Sequence, residues 1–230
     1  GYYGRSILDM QQDSRGWMHG LYAIVILTVQ RPASLVGSPG RSIEVLPYVV
    51  RYELNAQSLL ERNATVHPAF HAHALSPELL ARTSGIPSAA TSQPLVMLGC
   101  GSVGSKIAMQ LGRAGFGSMT FVDNESMSPH NAARHALIER ASVLVPPRKS
   151  ALMKTAFESL SHLQSRAFDT DAVTLLVDPE QFAATVPQDA ALIVDATASL
   201  QVLAAETQST ALNQSPARLA RIVMYGQGRC

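Results

Sequence analysis

The sequence predicts an α/β fold, a Rossmann-like and mostly parallel sheet with helices on both faces, preceded by a small β-rich segment. Three observations support this prediction. After residue 90, short apolar runs alternate with helix-like runs, as they do in βαβ units. A glycine-rich turn, Gly99–Gly104, joins the first apolar run to a helix-like run. Residues 20–54 instead hold two β-rich runs separated only by turn residues.

The amino-terminal segment is predicted to form a hairpin or a two-strand edge. Its two β-rich runs, Leu21–Val29 and Ser42–Leu54, are separated by an Arg-Pro pair and a Gly-Ser-Pro-Gly turn cluster. From Asn55 to Gln93 the pattern weakens into short helical pieces and ends in small residues suited to a linker. We therefore assign residues 1–90 to a β-rich segment with its linker, and residues 91–230 to a second domain.

The second domain is predicted to alternate strands with helices. The expected strands are Leu95–Leu98, Ser118–Val122, Ala172–Val177, Ala191–Val194 and Ala220–Met224. The expected helices cover residues 103–114, 149–162 and 198–209. This alternation predicts a buried parallel sheet, because parallel neighbours need a crossover connection between them.

The composition argues against several classes of protein. The chain has 230 residues, 47% of them hydrophobic, and a formal net charge of +1, so a core is expected and no basic field indicates nucleic acid. Two cysteines, Cys100 and Cys230, are too few for a disulfide framework or a cysteine-based zinc site. The most apolar run, Leu21–Val29, has about half of the ~20 residues that a membrane helix needs. We expect a soluble cytoplasmic protein.

The glycine-rich turn has the spacing of a loop that binds phosphate. Gly99 permits the tight turn, Gly101 lets the backbone approach a phosphate, and Gly104 lets helix and strand pack. Ser102 lies inside the loop, and apolar residues then recur at helical spacing, so amides at the start of a helix are available to an anion. Such a motif is weak alone, since glycines can serve a tight turn only.

An acidic residue strengthens the nucleotide interpretation. Asp123 lies 19 residues after Gly104, at the end of the second predicted strand, where a carboxylate can accept hydrogen bonds from ribose hydroxyls. The alternative is an aspartate that caps a helix or stabilises a turn.

Four segments together resemble the E1-like adenylating enzymes, the family of ThiF, MoeB and the ubiquitin-activating enzymes. The matching segments are Gly99–Ser105, Val122–Arg134, Arg148–Ser150 and Val194–Ser199. The resemblance implies ATP and Mg²⁺ as cofactors. Gly99, Gly101, Ser102, Gly104, Asp123 and Asn131 would bind the nucleotide, Arg134 and Lys149 would contact its phosphates, and Asp195 would bind Mg²⁺ as a catalytic residue.

The same resemblance implies a reaction. The carboxyl terminus of a ubiquitin-like or sulfur-carrier protein would attack the α-phosphorus of ATP, giving an acyl-adenylate and pyrophosphate, in a protein that acts as a homodimer. Fixed cations suit the charge that develops on the phosphorus, and a carboxylate suits Mg²⁺. Because the attacking carboxylate is already a nucleophile, no general base is required.

The sequence departs from the family pattern at three places. Glu125 stands where a second Asp is usual, His135 where a Gln often follows the Arg, and Pro147-Arg148 where a glycine-containing lead to the Lys is usual. The zinc-binding cysteine pairs of many bacterial members are absent. The chain begins without Met and ends at Cys230 just after a strand-like run, so we expect a piece truncated at its carboxyl end.

Several other residues leave alternatives open. Cys230 could form a thioester, as in relatives, but is better interpreted as a structural residue, and Cys100 as a small packing residue. His67, His71 and His73 could bind a metal but lack acidic or cysteine ligands nearby, which favours surface histidines. Residues 21–54 resemble the strand-rich module of bacterial E2-E1 fusions, although a supporting β-unit is the simpler interpretation.

Three other functions compete with adenylation of a protein carboxylate. An NAD-dependent oxidoreductase would use the same glycines and Asp123, but it has no need of Asn131, Arg134 and Lys149. A non-catalytic scaffold of the same fold would bind a ubiquitin-like partner without activating it. Adenylation of modified tRNA is disfavoured by the balanced charge.

Overall fold

The structure, a computed structural model, describes residues 21–34, 40, 42–52, 64–69, 75–138, 146–160, 162 and 164–223. The chain divides into two compact units, Gly1–Ala74 and Leu75–Cys230. None of the helices in these described ranges is both long enough and apolar enough to cross a membrane.

The first unit contains a three-stranded antiparallel sheet. Strand β1 (Leu21–Gln30) pairs with β2 (Ile43–Tyr52), which pairs with β3 (Ala64–Pro68). The predicted hairpin is therefore confirmed, with Leu21 opposite Tyr52 and Gln30 opposite Ile43. The expectation of helical pieces alone after residue 55 is wrong at β3, where the β-branched Thr65 and Val66 suit a strand.

The second unit is the α/β part of the chain. Its helices and strands, in chain order, are α1 (Pro77–Thr83), α2 (Ser88–Thr91), β4 (Leu95–Leu98), α3 (Ser102–Arg113), β5 (Met119–Val122), α4 (Lys149–Ser159), β6 (Arg166–Phe168), α5 (Ala172–Val177), α6 (Pro179–Thr185), β7 (Leu192–Asp195), α7 (Leu200–Gln208), α8 (Thr210–Gln214) and β8 (Arg218–Arg221). The five strands form a parallel sheet in the order β6-β5-β4-β7-β8. The predicted fold class is confirmed.

Helices cover both faces of the parallel sheet. The residues of β4 alternate between two cores: Leu95 and Met97 pack with α3 and α4, while Val96 and Leu98 pack with α5 and α7. Phe121 and Phe157 meet edge to face at 5.0 Å in the first core. All four residues of β4 are buried, which explains why these strands are apolar along their length.

Two strand predictions need correction. Residues Ala172–Val177 form a helix, because Asp171 caps it by accepting a 3.0 Å hydrogen bond from the Thr174 N–H, and Ala172, Leu175 and Leu176 bury one helical face. Valine and threonine suggested a strand there, but tertiary packing overrides that propensity. The last strand is Arg218–Arg221, two to three residues earlier than expected.

Candidate functional site

A cleft opens at the carboxyl ends of the central strands. From β4 the chain builds the sheet outward through β5 to β6 and then returns, so that β7 lies on the other side of β4. In such sheets, ligands bind outside the carboxyl ends of the strands at this change of direction. We call this space the switch-point cleft. It has a volume of about 210 Å³ and is lined mainly by Gly99, Gly101, Asp123, Glu125, Asp171, Ala196, Thr197, Ser199 and Gln201.

The glycine loop that borders the cleft is tightly packed at two of its three glycines. Gly99 has a φ of +84°, and a Cβ placed on it would lie 3.0 Å from the Thr197 nitrogen. A Cβ on Gly104 would lie 2.0 Å from the Gly99 carbonyl oxygen. At Gly101, by contrast, a Cβ would meet none of the described residues within 4 Å. The described residues therefore leave space beside the main chain at Gly101.

Asp123 follows β5 and points its carboxylate at the glycine loop. Its Oδ2 accepts a 2.7 Å hydrogen bond from the Cys100 N–H, and its Oδ1 accepts one of 2.7 Å from the Glu125 N–H. Burial raises the pKa of Asp123 above the usual value, and these hydrogen bonds and the charge of Lys149 oppose that rise. The carboxylate thus has a defined orientation at the mouth of the cleft.

Lys149 is the first residue of α4, and its side chain is 5% exposed. Its N–H donates a 3.0 Å hydrogen bond to the Glu125 carbonyl oxygen, and its ammonium forms an ion pair with the Glu125 carboxylate. The Ser150 hydroxyl donates a 3.2 Å hydrogen bond to the carbonyl oxygen of Asp123. These contacts bring the predicted lysine beside the residues that follow β5.

The segment after Ser128 is fastened to the glycine loop. A short 3-10 helix, Pro129–Asn131, begins there, and Asn131 Oδ1 accepts a 2.8 Å hydrogen bond from the Ser128 N–H. The Ser102 hydroxyl donates a 3.1 Å hydrogen bond to the carbonyl oxygen of Arg134. The Arg134 side chain is exposed, and its guanidinium has no ion-pair partner among the described residues.

His135 also ties this segment to the loop, a role the sequence did not reveal. Its ring is buried; Nδ1 accepts a 3.1 Å hydrogen bond from the Leu137 N–H, so Nε2 carries the proton and donates 2.8 Å to the Cys100 carbonyl oxygen. The Ala136 N–H donates 3.0 Å to the buried Ser105 hydroxyl. These contacts hold Arg134 next to the start of α3.

Asp195 ends β7 directly behind the cleft. Its Oδ1 accepts hydrogen bonds of 2.9 Å and 2.6 Å from the N–H and hydroxyl of Thr197, which lines the cleft. Its Oδ2 lies 3.7 Å from Nε of Arg221, which also pairs with the buried Glu206. Sequence reasoning found Asp195 but missed Thr197, Arg221 and Glu206, because nothing in the sequence pattern marks them as neighbours.

The residues described do not form a metal site around Asp195 by themselves. Within the described ranges, no group of three His, Cys, Asp or Glu side chains is placed to hold a metal ion. Both oxygens of Asp195 already face Thr197 and Arg221. Magnesium at a nucleotide usually takes one or two carboxylates together with phosphate oxygens. The assignment of Mg²⁺ to Asp195 therefore stays a prediction.

The remaining candidates are the histidines and the two cysteines, and three of them fall outside the described residues. His67 is exposed on β3, while His71, His73 and Cys230 fall outside the ranges that the structure describes. Cys100 is a free, buried thiol whose pKa is raised by burial, which agrees with a packing residue.

One family model covers the glycine loop, Asp123 and Asp195 together. The model of the ThiF family matches residues 83–214, more than half of the chain. The chain belongs to the ThiF family. The resemblance stated from the sequence is thereby confirmed, and the match runs from the last residue of α1 to the end of α8.

Other proteins are similar to part of this ThiF-family chain. The uncharacterized protein y4oA of Sinorhizobium fredii is 30% identical over 137 residues, which is 55% of this chain and 23% of that protein. The chain thus spans about a quarter of this curated relative. Among solved structures, E. coli TcdA, a tRNA N6-threonylcarbamoyladenosine dehydratase crystallised with ATP, is 20% identical, covers 58% of this chain and 52% of its own, and has a TM-score of 0.44. E. coli MccB with AMPCPP and MccA is 19% identical and has a TM-score of 0.39. The match covers 51% of this chain and 34% of the MccB chain.

Proposed function

We propose that this ThiF-family domain binds ATP in the switch-point cleft and transfers AMP to a carboxylate of a second molecule. The observation that carries the proposal is the arrangement of the Gly99–Gly104 loop and Asp123 around one cleft at the change of strand direction. A glycine loop that opens a helix suits phosphates, and a carboxylate at the end of the next strand suits a ribose.

In the proposed complex, hydrogen-bonding groups that border the cleft contact the nucleotide. Asp123 would accept hydrogen bonds from the ribose hydroxyls in addition to those of Cys100 and Glu125, since a carboxylate has about four lone-pair positions. The open space at Gly101 admits a phosphate close to the main chain. Ser102, the first residue of α3, contributes an N–H at a positive helix end.

Positive charge would come from the two predicted cations. Lys149 forms an ion pair with Glu125, which lines the cleft. The carbonyl oxygen of Arg134 accepts a hydrogen bond from Ser102, at the start of α3. In the proposed complex the exposed guanidinium of Arg134 turns toward the phosphates, and Asn131 contributes its amide. Fixed cations of this kind stabilise the charge that spreads over the reacting phosphorus.

The proposed reaction needs no proton transfer by the protein. A carboxylate oxygen of the substrate forms a bond to the α-phosphorus, and the bond from that phosphorus to the bridging oxygen of pyrophosphate breaks. The electron pair leaves with pyrophosphate. Catalysis then rests on positioning and charge neutralisation. A magnesium ion bound with ATP would add positive charge at the phosphates, and we keep Asp195 as its proposed ligand.

We propose the carboxyl terminus of a ubiquitin-like or sulfur-carrier protein as the substrate, and a homodimer as the active form. The substrate class is what the resemblance of residues 99–105, 122–134, 148–150 and 194–199 to the E1-like enzymes implies. Analytical ultracentrifugation tests the dimer.

Pyrophosphate exchange tests the reaction. Labelled pyrophosphate should enter ATP only when a carrier protein with a free carboxyl terminus is supplied, because the reverse reaction needs the acyl-adenylate. Binding of ATP without exchange for any carrier would indicate a scaffold. Calorimetric titration with ATP and with NADH separates the oxidoreductase, since tighter binding of NADH that ignores Mg²⁺ would overturn the proposal.

A further inference from the structure

The ion pair between Glu125 and Lys149 lies at the edge of the switch-point cleft. The two side chains differ sharply in exposure, 5% for Lys149 and 69% for Glu125. Glu125 lines the cleft, whereas Lys149 is not among its lining residues and contacts Glu125. The two residues are also joined by a hydrogen bond of 3.0 Å from the Lys149 N–H to the Glu125 carbonyl oxygen.

Lys149 has an unusual need for a nearby anion. It is the first residue of α4, an 11-residue helix, and the amino terminus of a helix carries partial positive charge. A buried ammonium at that position faces both desolvation and the helix dipole unless an anion is present. The carboxylate of Glu125 supplies that anion in this structure.

Glu125 can leave at much lower cost. Its carboxylate is mostly in water, so turning away from Lys149 requires little desolvation or repacking. The main chain of Glu125 stays fixed during such a rotation, because its N–H is bonded to Asp123 and its carbonyl oxygen to Lys149. The side chain is therefore the mobile half of the pair.

We propose that the Glu125 carboxylate occupies the position of a nucleotide phosphate on Lys149, and that ATP binds by displacing it. This inference rests on the nucleotide site of the proposed function. Lys149 then exchanges one anion for another without losing its charge compensation. Glu125 thus acts through Lys149 as a gate, because its carboxylate competes with other anions for Lys149 while the cleft is empty. It also weakens ATP binding by the free energy needed to break the ion pair.

The charges of Lys149 and Glu125 both affect the carboxylate of Asp123. Lys149 lowers the pKa of Asp123 and Glu125 raises it, each by less than burial raises it. The charges of Lys149, Glu125 and Asp123 therefore interact with one another at the cleft. An anion that replaces Glu125 on Lys149 would interact electrostatically with Asp123 as well.

The test compares ligands with and without phosphates on the full chain. In Glu125→Gln, calorimetry should show ATP binding about threefold to tenfold tighter, since an ion pair no longer has to be broken. Adenosine, which has no phosphate, should bind as it does to the wild type. In Lys149→Met, the Glu125→Gln change should tighten ATP binding much less, because the displaced contact no longer exists.

Helix α4 supplies a matched control. Lys154 and Glu158 form an ion pair of 2.5 Å four residues apart, away from the cleft lining, and Glu158→Gln removes the same kind of charge. That variant should bind ATP as the wild type does. The proposal is overturned if Glu125→Gln weakens ATP binding, or if it changes ATP and adenosine binding equally. A protein that shows the expected differences in binding yet fails pyrophosphate exchange would overturn the proposed reaction and leave the gate in place.

Discussion

The N–H of Cys100, inside the glycine loop, donates a 2.7 Å hydrogen bond to the carboxylate of Asp123, 23 residues later in the chain. This bond joins the end of β4 to the end of β5. It connects the loop that would receive phosphates directly to the carboxylate that would receive a ribose. The pair thus links the local geometry of the site to the parallel register of the sheet.

The first prediction concerns the titration of Asp123. Its pKa is raised above the usual 3.8, chiefly by burial. The folded state therefore binds the proton more tightly than the unfolded state, so the favourable contribution of this group is present below the usual pKa and is lost as pH rises through the raised value. A ¹³C NMR titration should place the Asp123 carboxyl midpoint above 3.8.

Stability measurements give an independent check on the same titration. The free energy of unfolding of the wild type, relative to Asp123→Asn, should decrease as pH rises from acid toward neutral, because the variant has no carboxyl to titrate there. A midpoint below the usual value, or a difference that increases with pH, would contradict the stated role of burial.

Strands β4, β5 and β7, the glycine loop and the position of Asp123 could all be predicted from the sequence. The apolar runs of β4, β5 and β7 are long enough and distinct enough to predict buried parallel strands, and the glycine spacing identifies the loop between β4 and α3. Asp123 follows from its position after β5. These features depend on residues close together in the chain.

Other features depend on residues that only the folded chain brings together. Glu125 meets Lys149 across 24 residues, and Asp195 meets Arg221 across the register of β7 with β8. The sequence predicts a strand at the position of helix α5, since a short apolar run with β-branched residues suits either structure. The packing of Leu175 and Leu176 under the sheet decides it.

The second prediction contrasts two glycines of the loop. Gly104→Ala should lower the free energy of unfolding by about 1 to 3 kcal/mol, because its Cβ would lie 2.0 Å from the Gly99 carbonyl oxygen and the backbone would have to move. Gly101→Ala should leave stability within about 0.5 kcal/mol, since no atom of the part of the chain that the structure describes lies within 4 Å of its Cβ. Urea unfolding of both variants measures the difference.

The same pair separates folding from binding. A methyl group at Gly101 would occupy the space through which a phosphate approaches the main chain, so Gly101→Ala should bind ATP more weakly while remaining folded. Wild-type ATP affinity in this variant would remove Gly101 from the proposed phosphate site.

The third prediction concerns the two cations. Arg134→Ala and Lys149→Ala should each lower the rate of pyrophosphate exchange at least about tenfold, since a lost charged contact is worth about 1.5 to 3 kcal/mol. Lys154→Ala, at a half-buried position of α4, is the control and should retain the rate. Unchanged exchange in both test variants would count against the phosphate assignment, provided that circular dichroism shows them folded.

The fourth prediction tests Asp195 as a ligand of Mg²⁺. Asp195→Asn keeps an oxygen for the two hydrogen bonds from Thr197 but removes the negative charge that faces Arg221. If Asp195 holds the metal, the Mg²⁺ concentration for half-maximal exchange should rise about tenfold or more, as one charged ligand is worth about 1.5 to 3 kcal/mol. Thr197→Val is the matched control, because it loses the hydroxyl bond and keeps the carboxylate.

The control distinguishes metal binding from mere support of the cleft. Thr197→Val should reduce exchange without changing the Mg²⁺ requirement, since the Thr197 hydroxyl only orients the carboxylate. An unchanged Mg²⁺ requirement in Asp195→Asn would instead assign Asp195 to the ion-pair network with Arg221 and Glu206. Its charge would then stabilise the end of β7 beside β8, where both acidic side chains are buried.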